Sequence, residues 1–284
     1  MSTSKKILKI IGKAVLYLFL IAIMFLMIFP IAYAFIASFK TNSEILTAAS
    51  IFPKEPTFDN YIQAWKAGNF SRYTWNSIYM TVVVVIGTII TSTMMGYVFA
   101  RGKFPGKKLL FSLFTSTMFI SMGTIGLYPI LDIAKALHIN TTLWGVIIIQ
   151  VFGVNVFNTF LIRGYMESIP RSVDEAATID GCGFFGIYYK IIFPLLKPVI
   201  ATIALMSFMG SWNNYMLPMV FTINNLDQAP LTVGIVALKN SGSVASQWNI
   251  MLAGTMISIV PLLIVYLFLN RYFISGMTRG AVKE

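Results

Sequence analysis

The chain carries very little charge. Asp, Glu, Lys and Arg together make up 11% of its 284 residues, whereas 57% of the residues are hydrophobic. Soluble domains contain about 25% charged residues, so this composition excludes an ordinary water-soluble enzyme. It predicts a protein that lies largely within a membrane.

The residues that form disulfides and metal sites are also scarce. Cys182 is the only cysteine and His138 is the only histidine. A disulfide framework is therefore excluded, and no cluster of cysteine and histidine is available to bind a metal ion. The sequence has neither a Gly-x-Ser-x-Gly nor a His-Glu-x-x-His motif, which argues against a membrane enzyme with catalytic residues of its own.

Two further absences bear on the source of energy. Each lysine that follows a glycine is itself followed by Ala, Phe or Lys, never by the Ser or Thr of a Walker A loop. The apolar segments contain no Asp, Glu, Lys or Arg near their centres, where ion-coupled carriers usually need one. We therefore expect a chain that binds no cofactor and takes its energy from another protein.

Six apolar segments are long enough to cross a bilayer, since a span needs about 20 mainly apolar residues. We expect an all-α, polytopic membrane protein with six transmembrane helices, at Ala14–Ser38, Trp75–Ala100, Leu109–Leu131, Thr141–Ile162, Pro198–Val220 and Ile250–Asn270. The first segment follows several lysines, as a secretory signal does. Its apolar run is longer than the core of a signal, so we expect it to stay uncleaved.

The basic residues predict the orientation of these helices. Under this topology, fifteen of the 21 Lys and Arg residues lie on the side of the two termini. The other six lie in the opposite loops, at Lys40, Lys54, Lys66, Arg72, Lys135 and Lys239. Because cytoplasmic loops carry the excess of basic residues, both termini are predicted to be cytoplasmic. The net charge of +11 then reports topology, and no nucleic acid partner is expected.

A polar segment between the fourth and fifth apolar segments predicts a short helix outside the membrane. Ser172 and Glu175 have the spacing of a capping box, which predicts a helix from Val173 to Asp180. Gly181 can end this helix. Its two adjacent alanines have small side chains, which we expect to leave the helix backbone accessible to a partner protein.

Two loops on the opposite side are less specific. Residues 40–72 are consistent with a structured loop that contacts another protein and equally with a simple connector. Residues 222–249 contain the apolar piece Leu231–Leu238, which is too short to span and is predicted to be re-entrant or interfacial.

Polar residues inside the apolar segments form two clusters. They are Gln150, Asn155 and Asn158 in the fourth segment, and Ser207, Ser211, Trp212, Asn213, Asn214 and Tyr215 in the fifth. An unpaired amide in hydrocarbon is costly, so these side chains should face another helix or a wet pathway. Carbohydrate hydroxyls would suit the amides and the indole, although contacts between helices are the commoner use, and both interpretations remain open.

One motif resembles a known family. Glu175-Ala176-Ala177 is followed by Gly181 and then by Ile191-Ile192-Phe193-Pro194. In this pattern nine residues separate Gly181 from Ile191. It resembles the EAA loop of ATP-binding-cassette importer permeases and departs from it only at Phe193, where leucine is usual. Nearly the whole chain is similar to the maltose-type carbohydrate permeases among binding-protein-dependent transport system inner membrane components. The supporting stretches are Thr57–Tyr61, Arg171–Gly181, Trp212–Pro218 and Phe273–Lys283.

The resemblance implies a type I importer in a bacterial or archaeal cytoplasmic membrane. Its partners would be a second, different permease chain, an ATPase dimer that holds ATP and Mg, and an extracytoplasmic solute-binding protein. In that family a helix of the EAA loop docks on the ATPase. The matching ATPase-coupling residues are Glu175, Ala176, Ala177, Asp180, Gly181, Ile191 and Pro194. The candidates for the translocation pathway are Asn155, Asn158, Ser211, Trp212, Asn213 and Asn214.

The predicted organisation has three parts. Residues 1–72 hold the cytoplasmic N-terminus, the first helix and an outer loop, residues 73–271 form the permease core with the EAA loop at 164–197, and residues 272–284 form a cytoplasmic tail. The predicted function is carbohydrate import, with this chain forming half of the pathway. Import of a non-sugar solute by the same architecture is the alternative, and an ion-coupled carrier is a further one that the uncharged spans disfavour.

Overall fold

The computed structural model describes residues 3–47, 50–67, 69–120, 123–153, 155–239 and 247–281, and in that part of the chain it consists of helices joined by turns and loops, with no strand. The first eight α-helices along the chain are α1 (Thr3–Ala37), α2 (Asn42–Thr47), α3 (Asp59–Ala67), α4 (Phe70–Arg101), α5 (Lys107–Ser116), α6 (Leu127–Ala136), α7 (Leu143–Phe152) and α8 (Val156–Glu167). They are followed by α9 (Ser172–Ile179), α10 (Phe184–Ile187), α11 (Phe193–Leu195), α12 (Lys197–Trp212), α13 (Met216–Thr222), α14 (Leu231–Lys239) and α15 (Trp248–Ala281). A π-helical turn, Tyr188–Ile192, joins α10 to α11.

In the described part of the chain, fewer helical segments are long and apolar enough to cross a membrane than the six that the sequence predicts. Four helical segments in the described part of the chain are long and apolar enough to cross a membrane: Ile10–Ala37, Phe70–Arg101, Leu143–Glu167 and Trp248–Phe268. A fifth is obtained if Phe184–Leu195 and Lys197–Trp212, which meet at an angle of 78°, form one bent span.

The predicted third span, Leu109–Leu131, is not one helix. It comprises α5, two short 3₁₀ turns at Thr117–Phe119 and Gly123–Gly126, and the start of α6. Gly123 has a φ of 52°, a left-handed conformation that an α-helix cannot contain. Apolar composition therefore did not predict the interruption of this segment.

The predicted fourth and fifth spans are also interrupted. The fourth breaks between α7 and α8, where Asn155 precedes the second helix, and the fifth breaks between α12 and α13 at residues 213–215. Backbone groups freed by such breaks need other partners inside a membrane. The polar residues of the two clusters lie at these breaks, and several of them supply those partners, as described below.

The first of two compact units comprises residues 1–68 and 235–257. Residues 10–31 of α1, which make up most of its apolar run, are all exposed. Beyond the end of α1, Asn60 is buried and its amide nitrogen donates to the carbonyl oxygens of Ser38 and Lys40, each at 2.8 Å. The amide nitrogen of Asn249 donates to Asn60 Oδ1 at 2.7 Å. Buried polar contacts of Asn60 thus connect the end of α1 to the start of α3 and to α15.

The second unit comprises residues 69–234 and 258–284, and α4 is its central helix. Helix α4 packs against α7, α8 and α12 through a face of small residues. The buried small residues of this face are Ser77, Thr81, Thr88, Ser92, Thr93 and Gly96. Small side chains let helix backbones approach closely in membranes. At Gly96 the approach is so close that an added Cβ would lie 2.4 Å from Ile162 Cγ2.

Two apolar clusters flank this close packing. One surrounds Met80, Val146 and Phe221, and the other surrounds Tyr97, Ile192 and further buried residues of α8 and α12. The second cluster extends to the segment between α8 and α12. That segment carries the predicted EAA helix.

The predicted tail, residues 272–284, does not begin a new element. Helix α15 continues without interruption to Ala281, and residues 282–284 lie outside the described part of the chain. In the predicted outer loop 222–249, Leu231–Leu238 forms most of α14, whereas residues 240–246 also lie outside the described part.

Candidate coupling surface

Helix α9 begins one residue earlier than predicted and without the predicted capping box. Glu175 N donates to the carbonyl oxygen of Arg171 at 3.0 Å, so the first helical turn already starts at Arg171. Arg171 has helical backbone angles, with φ −68° and ψ −21°, and no side chain caps the helix. A capping side chain requires an extended backbone at the cap position. Ser172 has instead become the first helical residue, which is why it cannot cap.

The other end of α9 forms as predicted. Gly181 has a φ of 83°, and its N–H donates to the carbonyl oxygen of Thr178 at 3.0 Å. The N–H of Cys182 donates to the carbonyl oxygen of Ala177 at 2.9 Å. These two bonds define a Schellman motif, in which a glycine takes the left-handed position. No atom lies within 4 Å of the place where a Cβ would be added, so the requirement for glycine is conformational and not steric.

An ion pair holds α9 against the end of α4. Arg101 Nε lies 2.7 Å from Asp174 Oδ2, and the two side chains are only 11% and 19% exposed. Arg101 Nη2 also donates to the carbonyl oxygen of Ile169 at 2.7 Å, just before α9 begins. One arginine therefore fixes both α9 and the segment that leads into it. The bond from Nη2 to Ile169 is a charge-assisted hydrogen bond, and such bonds are among the stronger ones in proteins.

Two further contacts continue along the same face of α4. The hydroxyl of Tyr97 donates to the carbonyl oxygen of Phe184 at 3.0 Å, and the hydroxyls of Thr93 and Tyr188 lie 2.9 Å apart. Residues four apart lie on one face of an α-helix, so Thr93, Tyr97 and Arg101 form a row. This row, which we call the anchor row, binds three successive points of the segment from α9 to the π-helical turn.

The two alanines of the EAA motif point in different directions. Ala177 is 3% exposed and packs in the apolar cluster with Tyr97 and Ile187, whereas Ala176 is exposed. We expected the two small alanines to leave the helix backbone accessible to a partner; on the side of Ala177 the helix packs against the rest of the protein. The small side chain of Ala177 lets α9 lie close to the rest of the protein instead.

The outward side of α9 carries both charge and apolar surface. Glu175, Ala176 and Asp180 are exposed, and Ile179 is 86% exposed. Ile179 thus places an apolar side chain among exposed acidic ones on this side of α9. We call Glu175, Ala176, Ile179 and Asp180 the knob.

Ile191 and Pro194 lie behind α9, where the chain turns toward α12. Ile191 is half-buried against the apolar cluster and Pro194 is exposed. Pro194 has no N–H, and a proline ring clashes with the carbonyl four residues before it. The π-helical turn precedes this proline, and the 78° bend follows it. Prolines and π-helical turns are both known causes of helix kinks. These two residues shape the support of α9 and are not part of the knob.

The pathway candidates are divided between structural and exposed positions. The amide nitrogen of Asn155 donates to the carbonyl oxygen of Val151 at 3.1 Å and so caps the end of α7. Trp212 is buried, and its indole N–H donates to the carbonyl oxygen of Ser258 at 3.2 Å. Ser211 is also buried. Asn214 contributes its carbonyl oxygen to the hydroxyl of Thr232 at 2.8 Å.

Asn158 and Asn213 keep part of their surface exposed, although the amide of Asn213 donates within its own helix to Met209. Among the described residues, no hydrogen bond joins the cluster of α7 and α8 to that of α12 and α13. The structure brings Glu175, Ala176, Ala177, Asp180 and Gly181 together on α9 and the turn that ends it, whereas Ile191 and Pro194 lie on the segment that follows.

The sequence did not point to four residues of the coupling surface: Tyr97, Arg101, Asp174 and Ile179. The spacing of Thr93, Tyr97 and Arg101 at the end of an apolar segment was available as a signal. Nothing in the sequence pairs these residues with Asp174 or Phe184.

The family model of the binding-protein-dependent transport system inner membrane component matches residues 92–279. The chain belongs to this family. The matched range includes the whole anchor row and the knob. The geometry described above therefore lies in the part of this permease that the family shares.

Curated relatives match the permease over nearly its full length. The arabinooligosaccharides transport system permease protein AraQ of Halalkalibacterium halodurans is 32% identical, covering 92% of this chain and 93% of the relative. The probable starch degradation products transport system permease protein AmyC of Thermoanaerobacterium thermosulfurigenes is 33% identical, covering 93% and 94%. Similarity of this extent shows that the whole permease, and not one segment, is shared with these proteins.

Solved structures share the fold. A chain in the crystal structure of a bacterial ABC transporter involved in the import of the acidic polysaccharide alginate is 26% identical, with a TM-score of 0.80 over 96% of the permease and 99% of that chain. A chain in the structure of the bacterial alginate transporter with its alginate pentasaccharide-bound periplasmic protein has a TM-score of 0.63 at 16% identity.

Proposed function

We propose that this permease is one of two membrane subunits of an ATP-driven, binding-protein-dependent importer of an oligosaccharide. The knob on α9 is the contact through which an ATPase subunit drives the membrane helices. The observation that carries this proposal is the anchored knob, which is exposed on one side and tied by Arg101, Tyr97 and Thr93 to the central helix on the other. The oligosaccharide assignment is supported by the names of the relatives.

The geometry suits the transfer of a movement. A protein responds to a partner only through contacts that differ between the partner's states. Glu175 offers a carboxylate to a basic residue of the ATPase, and Ile179 offers an apolar side chain to a pocket. Because Asp174 and Ala177 fix the opposite side of α9, a displacement of the knob reaches α4 directly instead of being lost in a mobile loop.

The remaining subunits follow from the same proposal. A second, different permease chain completes the pathway, an ATPase dimer binds and hydrolyses ATP with Mg, and an extracytoplasmic solute-binding protein delivers the sugar. The permease itself hydrolyses nothing. Both termini lie in the cytoplasm, and six segments cross the inner membrane, some of them as interrupted helices.

The proposed mechanism is alternating access. ATP binding closes the ATPase dimer, the knob moves with it, and the rigid helices around α4 rock so that the pathway opens toward the loaded binding protein. Hydrolysis resets the assembly. Asn158 and Asn213, whose side chains are partly exposed, are the pathway candidates best placed to meet substrate, whereas Asn155, Ser211, Trp212 and Asn214 support the breaks in their helices.

The test is uptake by the complex purified from its native membrane through a tag on this chain. The complex is reconstituted in liposomes with ATP inside, and labelled oligosaccharides are added outside with the copurified binding protein. We expect ATP-dependent uptake that Glu175→Lys abolishes while the variant still inserts. The matched control, Glu55→Lys, reverses an exposed charge in the other unit and should leave uptake unchanged.

Three results would contradict the proposal. Normal uptake by Glu175→Lys would remove α9 from the coupling path. Stimulation of ATP hydrolysis by amino acids or metal ions but not by sugars would show that the imported solute is not an oligosaccharide. Accumulation by the permease alone under a proton or sodium gradient would make it a secondary carrier.

A further inference from the structure

A cavity lies beside the coupling surface and shares Arg101 with the anchor row. It has a volume of about 460 Å³ and lies where the ends of α4 and α8 meet the start of α5 and the turn before α9. Five of its lining residues are basic and one is acidic: Arg101, Lys107, Lys108, Arg163 and Arg171 against Glu167. We call it the basic pocket.

The charges of the basic pocket are not balanced within the protein. Arg101 is neutralised by Asp174. In the described part of the chain, Lys108, Arg163 and Arg171 have no carboxylate within 4 Å. Glu167 is the only acidic side chain in the wall of the pocket, and it is exposed. Three cations therefore face the same small volume without an internal partner.

Contacts within the protein hold two cations of the basic pocket, Arg163 and Lys107, in place. The guanidinium carbon of Arg163 lies 3.7 Å from the ring centre of Phe111, a cation–π distance that holds the arginine over α5. Lys107 donates to the carbonyl oxygens of Ala100 at 3.2 Å and Gly102 at 2.9 Å, which closes the end of α4. Burial lowers the pKa of Lys107, and Arg163, Arg171 and Arg101 lower it further, as expected where positive charge is in excess.

The pocket lies at the edge of an apolar surface. Leu109, Leu110 and Leu113 of α5 are all exposed immediately after Lys107 and Lys108. On α8, exposed Phe160 precedes Arg163 by one turn. Exposed apolar residues that give way to cations within one helical turn mark the boundary between hydrocarbon and headgroups. The basic pocket therefore opens at headgroup level, with apolar helix faces below it.

We propose that the basic pocket binds the phosphate of an anionic phospholipid, whose acyl chains run along the exposed apolar faces of α5 and α8. Phosphate oxygens are the acceptors that guanidinium and ammonium groups bind best. Basic pockets between membrane helices on the cytoplasmic side are suited to anionic headgroups. The apolar surface directly below the cations favours a lipid over free phosphate, which has nothing to bury there.

This inference does not rest on the proposed function, because binding of lipid can be measured without transport. The full-length permease is purified with its accompanying subunits and placed in nanodiscs of phosphatidylcholine with and without phosphatidylglycerol. Retained lipid is then identified by native mass spectrometry. We expect phosphatidylglycerol to be retained in preference to phosphatidylcholine.

The test variant is Lys108→Gln with Arg163→Gln. Each basic residue near an anionic surface adds to lipid attraction, so removal of two should weaken phosphatidylglycerol retention roughly thirtyfold. The matched control is Lys54→Gln with Lys66→Gln, which removes the same charge from exposed positions in the other unit. It should retain the lipid normally. Arg163→Lys alone should also retain most of it, because lysine binds phosphate as a point charge.

Several results would overturn the proposal. Equal lipid loss in the control variant would show a general charge effect. Displacement of phosphatidylglycerol by millimolar inorganic phosphate would show a site for free phosphate. If the test variant lost an accompanying subunit while its lipid was unchanged, the basic pocket would be a contact for an acidic protein segment. If Lys108→Gln with Arg163→Gln did not fold, the exposed Lys108→Gln alone must still lower retention severalfold.

Discussion

The ion pair between Arg101 and Asp174 provides the sharpest test of how α9 is held. The perturbation is a double-mutant cycle with Arg101→Gln, Asp174→Asn and both together. Removing one partner from a buried pair costs about 3–5 kcal/mol, because the other charge stays buried and uncompensated. Both side chains still touch water, at 11% and 19% exposure. We therefore expect about 2–3 kcal/mol for each single change.

The double variant should be less damaging than the sum of the two singles. We expect a coupling energy of about 1–3 kcal/mol, as is usual for groups in direct contact. The residual cost comes from Ile169, whose carbonyl oxygen also accepts a hydrogen bond from Arg101. The assay is thermal unfolding of the purified complex, followed by transport and ATP hydrolysis in the same liposomes.

The chain contains its own control for this experiment. Arg72 and Asp227 form an ion pair with the same two residue types, at 3.4 Å and with side chains 57% and 54% exposed. Exposed pairs contribute about 0–1 kcal/mol, so the corresponding cycle should show little coupling and no change in transport. Strictly additive losses at Arg101 and Asp174, or coupling equal to that of the control, would refute the role of this pair as an anchor.

Four other changes test separate features. Gly181→Ala should lower the stability of the helix end by about 1–2 kcal/mol, because alanine disfavours a positive φ. The control Gly183→Ala, at a φ of −75°, should cost little. Hydrogen exchange at the end of α9 distinguishes the two variants, and equal exchange rates in both would contradict the Schellman motif. Glu175→Gln should leave the melting temperature unchanged but weaken capture of the ATPase in a pull-down, and normal capture would remove Glu175 from that contact. Asn60→Ala should lower the melting temperature by an amount equivalent to about 2–4 kcal/mol, because it leaves buried polar groups unpaired; an unchanged melting temperature would show that this network adds no stability. Trp212→Phe should lower stability by about 1 kcal/mol with an unchanged KM for the transported sugar, and a raised KM would instead return Trp212 to the pathway.

Local patterns in the sequence predicted local features well. Gly181 was correctly expected to end the EAA helix, because the left-handed position at a helix end has a strong preference for glycine. The apolar composition correctly indicated a membrane protein with several long helices. These features depend on residues that are close together in the chain.

Features that depend on tertiary contacts were not predictable in the same way. Ala177 became buried because α9 docks on an apolar cluster formed by other helices, and Ser172 failed to cap because the preceding backbone was already helical. The interruption between α5 and α6 falls in a segment whose average hydropathy gives no sign of it. Periodicity describes one helix at a time, and it carries no information on which helix a polar residue will face.

The position of the anchor row in the chain has a consequence for biogenesis. Thr93, Tyr97 and Arg101 leave the ribosome before Asp174, Phe184 and Tyr188 are synthesised, and chains fold from the N-terminus as they emerge. The segment that follows α8 is thus synthesised after the helix on which it docks. A nascent chain arrested after residue 150 would contain the anchor row but not yet the segment with Asp174, Phe184 and Tyr188 that binds to it.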